Sequence, residues 1–123
     1  MFLKVLSILF ALAGCDPSHT LKLENQSTGK IELLYYPSLD HTGNSRPERV
    51  NINGKTLDKI TLDSAGTIQI GAVHGMYTPS ALNIELDYLE IRYKQDTIRL
   101  TGKNAILTTI QKVGSLDWRI LVK

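Results

Sequence analysis

The chain holds a single cysteine, Cys15, in the stretch Leu12-Ala13-Gly14-Cys15-Asp16-Pro17. A thiol is nucleophilic near neutral pH, because its pKa of about 8.5 is readily lowered by its surroundings. The remaining chemistry-bearing groups are three histidines, His19, His41 and His74, and carboxylates that include the neighbours Glu85, Asp87 and Glu90. Each histidine falls in a tether or a loop, where a solvated imidazole is the ordinary outcome. Asp40 and His41 could meet His74, but their spacing matches no zinc-site pattern. The loop from Asp40 to Glu48 lacks the repeated acidic positions of a calcium loop. Carboxylates along one strand need not converge into a hydrolytic pair. No HExxH, GxSxG, phosphate-binding or dinucleotide-binding motif occurs. The sequence predicts no catalysis, no metal and no cofactor.

The cysteine takes its meaning from what precedes it. Lys4 is followed by Val5 to Ala13, apolar apart from Ser7, and then by the small residues Ala13 and Gly14. A charged start, a short apolar run and small residues at the cut form the layout of a secretory signal peptide. The run is too short for a bilayer, which needs about 20 apolar residues. Leu12-Ala13-Gly14-Cys15 resembles the lipobox of bacterial lipoproteins. That resemblance covers the first fifteen residues and implies cleavage before Cys15, a diacylglyceryl group on its sulfur and, as a rule, acylation of its freed amine. One acyl chain holds a protein only marginally, so two or three make the stable anchor. Asp16 resembles the sorting residue that retains such proteins in the inner membrane. The expected location is therefore the periplasmic face of the cell membrane, lipid-anchored, with the inner membrane favoured over the outer. The expected organisation is a cleaved signal over residues 1–14, a lipidated N-terminus and tether over 15–19, and one domain over 20–123.

Composition bounds the rest. Removing residues 1–14 leaves 109, enough for one domain that buries roughly two-thirds of its unfolded surface. With no second cysteine it can form no internal disulfide, so packing alone must hold it. The chain carries a net charge of +2, and loss of Lys4 leaves 13 basic against 12 acidic side chains. Arg92, Lys94, Arg99 and Lys103 lie on two neighbouring strands and read as a solvated face rather than a nucleic-acid surface.

Hydrophobicity alternates with period two almost throughout. Leu21 and Leu23, then Ile31, Leu33 and Tyr35, set two strands, and the second carries apolar residues on both faces, as a central strand does. Asn53-Gly54 between two short alternating runs reads as a type I′ hairpin turn. Ile68, Ile70 and Ala72 share a face. From Leu82 to Tyr93 the alternation runs on with one slip of phase, read as a strand with a β-bulge. Its rival is a short helix near 80–89 with Ser80 as N-cap. Residues 105–110 and 116–122 complete the series, the latter putting Trp118, Ile120 and Val122 on the core side. The last strand ends in Arg119 and Lys123, charges suited to a guarded edge. Eight or nine short strands with turns every 8–12 residues predict an all-β fold, a small antiparallel β-sandwich or else a small barrel.

Two loops, 37–48 and 74–80, carry the residue types that recognition surfaces favour. Asp40, His41, Arg46, Arg49, His74, Met76 and Tyr77 are the candidate partner-binding residues, with Tyr35 and Tyr36 at the mouth of the first loop. The expected function is a membrane-anchored, non-enzymatic binding module for a protein partner in the cell envelope. The alternative is an immunity or inhibitor lipoprotein that blocks a toxin or an envelope hydrolase. Neither reading requires a small-molecule ligand or nucleic acid.

Overall fold

The computed structural model describes residues 18–39, 46–75 and 77–123. The chain forms two sheets that face one another across a single apolar core, the all-β sandwich that the alternation predicts. Its strands are β1 (Ser18–Asn25), β2 (Ile31–Tyr36), β3 (Glu48–Ile52), β4 (Lys55–Leu62), β5 (Thr67–His74), β6 (Tyr88–Tyr93), β7 (Asp96–Thr101), β8 (Gln111–Gly114) and β9 (Asp117–Val122). One sheet has the order β5-β1-β9-β8 and the other β3-β4-β2-β6-β7. Strand β1 pairs with β9 in parallel, Leu21 beside Trp118 and Asn25 beside Val122. The N-terminal strand therefore starts at one pole of the sandwich and the last strand ends at the other.

The core is the inward half of each alternating strand. Leu21, Leu23, Ile68, Ile70, Val73, Ile120 and Val122 come from the first sheet; Ile31, Leu33, Tyr35, Ile60, Leu62, Leu89 and Ile91 come from the second. Burial of each such side chain stabilises by about 1.5–3 kcal/mol, and the sum offsets chain entropy without any cross-link. Strand β2 is central in its sheet, as its two apolar faces require, and Leu34 on its outer face is fully buried. Asn53 and Gly54 join β3 to β4 with φ of 53° and 82°, the left-handed pair that the hairpin turn demands.

Asn25 pins one pole. Its Nδ2 donates to the carbonyls of Gly29 (2.8 Å) and Leu62 (3.0 Å), and its Oδ1 accepts from the backbone N–H (3.0 Å) and hydroxyl of Ser27. Every donor and acceptor of this buried amide is used, which removes the usual penalty for burying it.

Five sequence expectations need correction. Residues 82–87 are not a strand: Ala81–Asn83 forms one 3-10 turn, and Ile84 to Asp87 then cross from one sheet to the other. Ser80 does start that turn, its N–H donating to Asn83 Oδ1 at 2.8 Å. Of the alternating set Leu82, Ile84, Leu86 and Tyr88, only Ile84 and Leu86 are buried, Leu82 being 93% exposed, and Ile84 alone makes a bridge, to Gly71. The phase slip is the change of sheet, where Asp87 N–H donates to the Tyr36 carbonyl at 2.8 Å, not a bulge. A bulge lies instead in the pairing of β5 with β1, where partners jump from Leu21–Gly71 to Lys22–Gln69. The extra residue turns Val73, not Ala72, toward the core.

Residues 103–107 form α1 (Lys103–Leu107), a single helical turn, where a strand over 105–110 was expected. Gly102, at φ 93°, makes the entry that other residues resist. The Thr108 and Thr109 hydroxyls cap the carbonyls of Ala105 and Ile106. The turn drops Ile106 wholly into the core. Finally, β9 is no edge: it lies between β1 and β8, and Arg119 bonds Glu24 across to β1 at 2.7 Å as well as Asp117 at 2.8 Å. Trp118 on that strand is half-buried, packed against the core with the Lys112 ammonium 5.8 Å from its ring centre.

Candidate functional site

Cys15, Asp16, Asp40, His41 and Met76 lie outside the described residues. The other loop candidates fall in two places. Arg46 is exposed before β3, and Arg49 stands on β3 opposite the buried Asp58, 3.7 Å from its carboxylate. His74 ends β5 beside Ser18, and Tyr77 follows it, 76% exposed. Arg49 belongs to the five-stranded sheet and His74 to the four-stranded one, while Arg46 and Tyr77 lie outside the strands.

A well-developed concavity lies elsewhere among the described residues. It is a groove of about 700 Å³ on the outer face of the five-stranded sheet. Tyr36, Ile52 and Leu57 give it an apolar wall on β2, β3 and β4, while Tyr88, Glu90 and Arg92 on β6 and Arg99 and Thr101 on β7 form the polar side. Strand alternation explains the set. Leu89 and Ile91 face the core, so Tyr88, Glu90 and Arg92 must face outward, and the register brings Arg99 directly opposite Glu90. Of the described loop candidates Arg46, Arg49, His74 and Tyr77 do not line this groove, whereas Tyr36, at the mouth of the first loop, does. Its floor is held by paired strands, which fix side-chain positions better than a loop would.

At the centre sits a carboxylate that is only 4% exposed although its strand face points to solvent. Taking a lone carboxylate out of water costs several kcal/mol, so the surroundings must compensate. They do: Glu90 Oε1 accepts from the Tyr88 hydroxyl at 2.7 Å and from Arg99 Nε at 3.1 Å, and Oε2 accepts from Arg92 Nε. Burial pushes the Glu90 carboxyl up, but the hydrogen bonds from Tyr88 and Arg92, the charge of Arg92 and the hydrogen bond from Arg99 overcome it and hold it below the usual value. Tyr88 is raised, by burial first and then by its bond to Glu90.

The balance of charge defines what the cluster can do. Two guanidinium groups share one carboxylate, leaving one positive charge in excess, and each binds Glu90 through Nε. The two arginine side chains are 40% and 64% exposed. A guanidinium held in place by a partner is a preorganised donor for a carboxylate or phosphate. Glu90 itself is held ionised, which suits it to orient arginines rather than to donate a proton. Among the described residues no three His, Cys, Asp or Glu side chains gather into a metal-binding group.

Sequence reading missed this cluster by treating Arg92 and Arg99 as a solvated face. The signal was present: Tyr88, Glu90 and Arg92 alternate on one strand face, and the short turn at 94–95 makes a hairpin that brings Arg99 across. Compared with known proteins, the chain matches no family model, no curated protein and no solved structure. No helix among the described residues is long and apolar enough to cross a membrane.

Proposed function

We propose that this chain is a lipid-anchored protein of the bacterial envelope whose β-sandwich binds a protein partner and catalyses no reaction. The observation that carries the binding part is the groove, with two arginines oriented by one buried glutamate beside an apolar wall. Arginine and tyrosine around a concave apolar centre are the composition of interface hot spots. The anchor rests on the sequence from Lys4 to Cys15. Cys15 precedes β1 by three residues, which span about 10 Å when extended. The groove lies toward the pole where β1 begins, because Asn25 and Leu62 mark the opposite pole and Tyr36, Lys55 and Thr101 lie at the far ends of their strands. An anchor at that pole raises the effective concentration of the groove for a partner at the same membrane.

The test is in-cell cross-linking and pull-down of the full-length protein tagged at Lys123, compared with Cys15→Ser and with Arg92→Ser. One dominant partner, lost in both variants, supports the reading. Failure to capture any specific partner, under conditions that recover a known envelope complex, overturns it. The identity of the captured protein separates an envelope assembly from a toxin or hydrolase that the domain inhibits.

A further inference from the structure

The two sheets have four outer strands, and three of them are blunted. Strand β5 is bridged by Ile84, with Glu85 N–H donating to the Ile70 carbonyl at 2.9 Å. Strand β8 has four residues and an irregular register. Strand β3 follows Pro47 and turns polar Arg49 and Asn51 to the side that its partner Asp58 occupies. Among the described residues strand β7 has no bridging segment, no proline and no irregularity of register. It is paired with β6 over six consecutive residues without a break. Ile98 and Leu100 face the core side, opposite Ile91 and Leu89, yet Ile98 is 51% exposed. Beneath them a second groove of about 380 Å³ opens between β7 and β9. A long, regular edge with uncovered apolar residues is a template for another strand.

Charge names the strand that would fit. On the outer face of the same edge stands Arg99, exposed and holding half of a positive excess that Glu90 does not cancel. We infer that β7 accepts an extended segment of the protein partner as an added strand, with apolar residues turned into the β7–β9 groove and an acidic residue turned outward beside Arg99. This rests on the binding-module reading and specifies its partner: a strand alternating apolar and acidic residues. Backbone hydrogen bonds supply affinity in such strand addition, and the alternate side chains supply specificity. The apolar side chains complete the open flank of the core, and the acidic one finds an arginine already oriented.

The probe is a synthetic peptide, Thr-Val-Glu-Val-Glu-Val-Thr, against a control with lysine in place of glutamate, on the full chain in detergent micelles. The readout is residue-resolved amide hydrogen exchange by NMR. The expected result is slowed exchange within Asp96–Thr101 with the acidic peptide alone. Arg99→Glu reverses the preference between peptides. Ile98→Lys, which leaves the Glu90 bonds untouched, weakens the acidic peptide by about tenfold. No slowing at β7 at saturating peptide, or an unchanged preference in Arg99→Glu with the fold intact, overturns the inference. Ile98→Lys in the pull-down separates this inference from the reading beneath it. A partner still captured at full yield leaves the binding module standing and removes the edge, whereas a lost partner supports both.

Discussion

Glu90 on β6 and Arg99 on β7 are direct cross-strand partners, and Arg99 Nε donates to Glu90 Oε1 at 3.1 Å. With Arg92 and Tyr88 this makes a carboxylate with three donors on the solvent side of a sheet. The carboxylate lends the groove two fixed guanidinium groups and in return is kept ionised.

Glu90→Gln tests that exchange. At pH 7 it should cost about 2 kcal/mol in urea unfolding, because two arginines lose their shared counter-charge. The folded Glu90 is held below the usual carboxylate value of 4.5, so its stabilising effect is present above that value and is lost as pH falls through the lowered one. The gap between wild type and Glu90→Gln should therefore close under acid. A gap that stays constant from neutral pH down to pH values well under 4.5 would show that the carboxylate charge contributes nothing.

Asn25→Ala should destabilise by about 3 kcal/mol, since it strips hydrogen bonds from the Leu62 and Gly29 carbonyls and from Ser27 at a buried site. Asn25→Asp should not rescue it, because a carboxylate has no N–H for either carbonyl. Thermal or urea unfolding of the two variants decides; near-wild-type stability in Asn25→Asp would refute the account.

Gly71→Ala tests the crossing. A methyl at Gly71 would sit 2.1 Å from the Asn83 carbonyl oxygen, a backbone atom that cannot swing aside. The expected loss is about 2 kcal/mol. The control is Gly29→Ala, where the nearest neighbour is the Tyr93 ring at 3.6 Å, an ordinary contact, and the change should stay within about 0.5 kcal/mol.

Cys15→Ser tests the anchor. In growing bacteria the wild-type protein should take up labelled palmitate and sediment with membranes, and the serine variant should do neither. Equal uptake of label by the two forms would remove Cys15 as the lipidation site.

The sequence by itself determined which side chains face the core along the regular strands, because a pleated strand alternates them whatever its neighbours are; it failed at the bulge that turns Val73 inward and at Leu82. That is why Leu21 and Leu23, and Ile31, Leu33 and Tyr35, fall on the core side as read, and why the Asn53-Gly54 turn was legible from two residues. Alternation does not say which strand lies beside which, nor whether an extended segment is paired. Residues 82–87 therefore read as a strand when they are a crossing, and β9 read as an edge when β1 lies alongside it. The short apolar run at 105–107 carries no periodicity to separate strand from helix, and Ile106 reaches the core by a helical turn. Only the tertiary structure set Arg92 and Arg99 around one carboxylate and left β7 as the open edge, because both depend on strand order and cross-strand register, which are fixed by packing between segments distant in the chain.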